Sequence, residues 1–186
     1  FGSQCFLFTY SIKSTSTYSI ICSPIDATDL DFFITSHSDY LPTGIVSPSI
    51  TEWIVENGEF NKKLDASLTL SGAMNLKRMV IGDDCYGSVR SFRIDGLNEL
   101  ESIVIGEKSF TYVKSEQAID IMQTDGSCRI TNCPKLVSIQ IGNWSFSDYK
   151  SLEISHLPSL KSIEMGCGCF HRGLSFSLIG LLDGLN

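Results

Sequence analysis

No stretch of this 186-residue chain reaches the 18 or so consecutive apolar residues that a membrane-crossing helix needs, so no span is expected. No basic opening followed by an apolar run marks a secretory signal. Basic blocks are missing too. Lys and Arg number 14 against 21 Asp and Glu, giving a net charge of −7, so no nucleic-acid partner is expected. Histidine is scarce, and His37, His156 and His171 stand in no triad-like or metal-clip grouping. The seven cysteines are odd in number and scattered, which excludes a small domain stapled by disulfides. Disorder is excluded from the other side, since 42% of the residues are apolar.

What is present is a repeat. A short signature recurs as Ile81-Gly82-x-x-Cys85-Tyr86, Ile105-Gly106-x-x-Ser109-Phe110, Ile141-Gly142-x-x-Ser145-Phe146 and Met165-Gly166-x-x-Cys169-Phe170. Its glycines lie 24, 36 and 24 residues apart, which places a 12-residue excess in the middle interval, at 111–127. Upstream of each glycine stands Leu76-x-x-Met79-x-Ile81, Leu100-x-x-Ile103-x-Ile105, Leu136-x-x-Ile139-x-Ile141 or Leu160-x-x-Ile163-x-Met165. A second apolar pair falls between units: Leu68/Leu70, Phe92/Ile94, Ile130 alone, Leu152/Ile154 and Phe176/Leu178. A further unit fits at Ile50-x-x-Trp53-x-Val55, with Glu56 at the glycine position and Phe60 at the aromatic one.

An apolar-x-apolar triplet puts its outer residues on one face of a strand and the middle residue on the other. Two triplets per unit, 11 to 13 residues apart, predict two short strands per coil and leave little room for regular helix. One coil cannot bury its apolar side alone, so the units must stack with strands paired in parallel. The glycine after the main strand is expected to provide positive φ or a close backbone approach. The Cys/Ser and the aromatic residue are expected to fill the interior. Thus Met79, Ile81, Ile103, Ile105, Ile139, Ile141, Ile163, Met165, Tyr86, Phe110, Phe146 and Phe170 should point inward.

These residues resemble the leucine-rich repeat family (Leu-x-x-Leu-x-Leu-x-x-Asn-x-Leu), and more closely its BspA-like subclass of bacterial and protist proteins, marked by Ile-Gly-x-x-Ala-Phe. The likeness covers roughly Ile50 to Leu178. It departs at the family's Asn column, which holds Asp84, Lys108, Trp144 and Gly168. The resemblance implies a β-rich, right-handed solenoid of ~24-residue coils, with two short parallel strands per coil and few or no regular helices. It also implies a surface for molecular recognition, as in adhesins or receptors.

Residues 50–186 are therefore read as the solenoid, with an insertion at 111–127. Residues 1–49 are read as irregular or degenerate repeats, cap-like in part. Segments Cys5–Ile12 and Tyr18–Cys22 read as strands, and Asp26–Ile34 as one short helix. The distance from Gly2 to Glu56 accommodates two units of about 27 residues. Phe1 opens inside a unit, and the apolar residues after Phe176 have no further coil to cover them. The chain is thus expected to be a fragment of a longer array, self-associating through uncapped ends.

Cys5, Cys85 and Cys169 exchange with Ser109 and Ser145 at one repeat position, which marks core filling rather than metal ligation. Cys85 and Cys169 should be buried thiols. Asp83-Asp84 reads as a solvated turn, and His156 shares a turn position with Gly96 and Asn132. The Asn143-Trp144-Ser145 sequon places its serine in that same interior column. No carboxylate pair is fixed for glycoside hydrolysis. A carbohydrate-active parallel β-helix enzyme is the rival from another class, and it would need a third strand per coil and clustered acids.

The outward residue of the main strand is Ile54, Val80, Val104, Gln140 and Glu164 in successive units. On the second strand it is Thr69, Arg93, Arg129, Glu153 and Ser177, where Arg129 and Glu153 should pair. The apolar column Ile54, Val80 and Val104 is the expected contact surface for a protein or other macromolecule, helped by Arg78 and by Tyr112 of the insertion. The expected role is protein–protein interaction or adhesion, without catalysis, cofactor or metal. The alternative is the sensor region of a larger signalling protein. Unpaired thiols lean to the cytoplasm and family habit to the cell surface.

Overall fold

The computed structural model describes residues 9–14, 20–24, 51–61, 66–70, 73–111 and 125–179. The described residues form twelve strands and no helix. They are β1 (Thr9–Ser14), β2 (Ile20–Pro24), β3 (Glu52–Val55), β4 (Ala66–Leu70), β5 (Arg78–Ile81), β6 (Val89–Asp95), β7 (Ser102–Ile105), β8 (Gly126–Thr131), β9 (Ser138–Ile141), β10 (Tyr149–Ser155), β11 (Ser162–Met165) and β12 (Ser175–Ile179). No helix among them is long and apolar enough to cross a membrane.

The strands alternate between two sheets. The first runs β11-β9-β7-β5-β3-β1-β2 and the second β12-β10-β8-β6-β4. Every pairing is parallel except the β1–β2 hairpin at the edge of the first sheet. Register follows the repeat: Met79 pairs with Ile103, Ile103 with Ile139 and Ile139 with Ile163. The chain is a parallel β-solenoid of about four 24-residue turns, one of them lengthened by the insertion.

Upstream, the spacing expectation needs correction. β1 pairs directly with β3, Ile12 opposite Trp53, so one interval of 41 residues replaces two units of about 27. The antiparallel β2 then turns the chain back along that edge. The expected helix Asp26–Ile34 and most of the insertion lie outside the described residues.

Between the sheets, like side chains stack in columns. Leu76, Leu100, Leu136 and Leu160 form one, each at most 1% exposed. Phe92, Cys128 and Leu152 form another, and Cys133 takes the place held by Leu97 and Leu157. The rings of Phe60, Tyr86, Phe110, Phe146 and Phe170 stack face to face, with centroids 5.0, 5.1, 4.6 and 5.2 Å apart. Each fully buried ring contributes about 1.5–3 kcal/mol by area transfer.

Ile139, Ile141 and Phe146 are buried as expected, but Ile163 is half-buried and Met165 is 47% exposed. Met165 keeps its register beside Ile141. The difference is coverage: β11 and β12 are the outermost described strands, and neither has a neighbour on its far side.

The glycine column works by close approach. A Cβ on Gly106 would lie 2.3 Å from Asp83 Oδ1 and 2.6 Å from the Gly82 carbonyl carbon, and Gly82 and Gly166 are equally tight. Positive φ falls two residues later, at Asp84, Lys108, Trp144 and Gly168, and again on the aromatics Tyr86, Phe110, Phe146 and Phe170. The reason is hydrogen bonding between coils. The Gly106 N–H donates backwards to Ile81 O (2.8 Å), the Lys108 N–H forwards to Asn143 O (2.8 Å), and the Phe110 N–H backwards to Cys85 O (2.8 Å). Left-handed residues reverse the amide direction twice within each corner, at about 1–2 kcal/mol apiece for a non-glycine residue, offset by the bonds formed. His156 holds the same left-handed turn as Gly96 and Asn132.

Candidate functional site

The outer face of the first sheet carries the predicted contact residues. Alternation in β3, β5 and β7 turns Trp53, Val55, Met79, Ile81, Ile103 and Ile105 inward and the residues between them outward. Ile54, Val80 and Val104 are direct register partners on adjacent strands. They form one apolar column, about 4.8 Å per step. All three are half-buried rather than fully exposed, because each covers its neighbours along the column. Gln140 and Glu164 extend the column as a polar segment, the Gln140 amide donating to Glu164 (3.1 Å).

Arg78 is exposed beside this column and lies 3.9 Å from Glu52 on the neighbouring strand. Lys77 and Lys161 are exposed where the chain enters β5 and β11. Tyr112, the remaining predicted contact, lies outside the described residues. The structure therefore brings together Ile54, Val80, Val104 and Arg78.

The second sheet's outward column reads Thr69, Arg93, Arg129, Glu153 and Ser177, in register throughout. Arg129 and Glu153 do pair, at 2.7 Å. Arg93 pairs with Asp95 at 2.8 Å. Hydrogen bonds from Arg93, Asn132 and Thr131 hold the Asp95 carboxyl down at about 2. Away from the column, the Lys135 ammonium donates to both carboxylate oxygens of Glu99 at 2.7 Å.

The corner between the sheets is occupied by structural hydrogen bonds. Asn57 Oδ1 accepts the Asp83 N–H (2.8 Å), Asp83 Oδ1 the Glu107 N–H (2.7 Å), and Asn143 Oδ1 the Cys167 N–H (2.9 Å). This ladder stands one position before the Asp84, Lys108, Trp144 and Gly168 column. Its signal was the residue directly after each glycine. It also explains Gly82, Gly106 and Gly166, because a Cβ there would strike the ladder's side-chain oxygens, whereas at Gly142 it would strike the Gly106 and Glu107 backbone. Asn143 of the sequon is thus engaged on both sides, its amide donating to Glu107 (2.9 Å).

The Cys/Ser column is a second ladder. Ser109 Oγ donates to Gly82 O (2.7 Å) and accepts the Cys85 N–H (3.0 Å), and Ser145 Oγ does the same for Gly106 O and the Ser109 N–H. The Cys85 thiol donates to Glu56 O at 3.0 Å, and burial pushes its pKa up to about 11. Cys169 occupies the equivalent place but is half-buried, a correction to its expected burial with the same cause as at Met165. Cys85, Cys128, Cys133, Cys167 and Cys169 are all free thiols. Among the described residues no three His, Cys, Asp or Glu side chains converge in a metal-binding group.

Sequence reading passed over a serine column on the second sheet. Ser91, Ser127, Ser151 and Ser175 are register partners, each preceding an inward residue of its strand. The visible signal was a serine before Phe92, Cys128, Leu152 and Phe176. Compared with known proteins, the chain matches no protein-family model, no curated protein and no solved structure.

Proposed function

We propose that this solenoid is a recognition module that binds a protein through the outer face of its first sheet. The observation that carries the reading is the register column Ile54–Val80–Val104, three β-branched apolar side chains side by side on an outward face. A flat column of this kind suits an extended macromolecular surface and lacks the walls that enclose a small ligand. Arg78, Lys77 and Lys161 flank it together with Glu52 and Glu101, so an acidic or mixed partner surface is tolerated there. The reading assigns no catalysis. Several surface carboxylates are committed to ion pairs with Arg93, Arg129 and Lys135, which supports it.

Within this proposal the coil belongs to the leucine-rich-repeat type. The support is the Leu76, Leu100, Leu136 and Leu160 column followed by the main strand, together with the side-chain ladder of Asn57, Asp83 and Asn143 at the corner. The test is a photo-crosslinking amino acid at position 80 of the protein in its own cells, with position 69 on the opposite sheet as control. A protein captured from position 80 alone, and lost on Val104→Asp with folding preserved, supports the proposal. Equal capture from both positions, or capture unchanged by Val104→Asp, overturns it.

A further inference from the structure

The second sheet carries a depression that the first-sheet proposal does not use. It has a volume of about 450 Å³ and is lined by Ser91, Ser127, Ser151, Arg93, Arg129 and Glu153. The serines form one line along the solenoid axis, and the charged residues form a second line two residues further along each strand. The arginines are braced by carboxylates, Arg93 by Asp95 and Arg129 by Glu153. The lining therefore carries fixed donors in the guanidinium groups, fixed acceptors in the carboxylates, and hydroxyls that do both. The lining holds two arginines and Glu153, and Asp95, which stands outside the lining and pairs with Arg93, brings the formal charge of the group to zero.

We propose that this depression binds an uncharged linear polysaccharide laid along the solenoid axis. A vicinal diol both donates and accepts, which matches a braced guanidinium–carboxylate pair better than any ion does. The charge balance disfavours a polyanion or a polycation, either of which would break the existing pairs to bind. Period decides the orientation. Successive coils present a serine and a charged residue about every 4.8 Å along the axis, and a pyranose ring advances an extended β-1,4 chain by nearly the same step. One sugar then faces one coil, with a serine hydroxyl on one flank and a charged group on the other. Phe92, the one aromatic residue of the lining, is fully buried with its ring packed on Phe110 and Phe146, so it offers sugars no stacking face; each sugar contributes little and binding grows with chain length. The proposal stands apart from the first-sheet contact and survives its failure.

The experiment is native electrophoresis of the 186-residue protein through gels holding hydroxyethylcellulose, dextran or polygalacturonate, backed by calorimetry with cello-oligosaccharides of increasing length. Retardation by hydroxyethylcellulose is expected, with affinity rising with length and little changed by salt. Ser127→Val with Ser151→Val should weaken it at least tenfold, and so should Arg129→Gln. Ser102→Val with Ser138→Val, on the other sheet, should leave it unchanged. Valine suits exposed strands, and circular dichroism checks that each variant folds. No retardation by hydroxyethylcellulose, retention of wild-type binding in both groove variants, or preference for polygalacturonate would each overturn the proposal.

Discussion

At the scale of single residues, the corner glycines are constrained by contact and not by backbone freedom. Gly106→Ala must displace Asp83 Oδ1 and the Gly82 backbone, and should cost about 1–3 kcal/mol in urea unfolding. Gly96 is the opposite case: its φ is +72° and a Cβ there meets nothing within 4 Å. Since Asn132 adopts the same turn one coil later, Gly96→Asn should stay within about 0.5 kcal/mol of the parent. Asp95 yields a pH dependence. Its folded carboxyl titrates at about 2, below the unfolded value of about 3.9. Its stabilisation is therefore complete above the unfolded value and disappears as pH falls towards 2. Urea midpoints measured from pH 5 down to pH 2 should fall through that window, and Asp95→Asn should flatten the slope.

At the scale of the element, the unit is the corner plus its two strands, and the aromatic stack ties successive corners together. Phe110 is fully buried between Tyr86 and Phe146, so Phe110→Ala should cost about 3–5 kcal/mol in equilibrium unfolding. Half-buried Phe60, at one end of the stack, should cost less. Strand positions, inward columns and the stack could be read from the sequence because an apolar residue recurring in register has only one place to go. Left-handed conformations at Tyr86, Phe110 and Phe146 could not, since bulky residues avoid that region unless hydrogen bonds from adjacent coils enforce it. The ladder through Asn57, Asp83 and Asn143 was missed for a related reason. Its column also contains Glu107 and Cys167, so identity is not kept even though the role partly is. At the candidate contact face, period two fixed the direction of Ile54, Val80 and Val104. Their partial burial depends on lateral neighbours, which a single strand does not reveal.

For the whole molecule, the decisive feature is the last described coil, over which no further described coil stacks. Met165, Phe176, Leu178 and Ile179 are 47 to 57% exposed, while their counterparts one coil earlier are buried. Among the described residues no strand pairs with the far edge of β11 or β12 beside them. Such an end attracts another strand edge. Sedimentation of the 186-residue protein should show association that grows with concentration, and Phe176→Lys with Leu178→Lys should abolish it without lowering the unfolding midpoint. A wild-type monomer across the concentration range would contradict this.

The parallel pairing of successive coils also fixes how the molecule yields to force. The bonds between coils lie along the solenoid axis, so a pull applied across its two ends loads one coil boundary at a time instead of shearing a whole sheet. Extension should proceed as a series of yield events, the outermost coil peeling first. Each 24-residue coil would release ~8 nm of chain, and the 36-residue coil between Ile103 and Ile139 ~12 nm. A tether of this construction limits the tension it transmits while it lengthens. The longer coil would appear as a single larger step marking its position in the record.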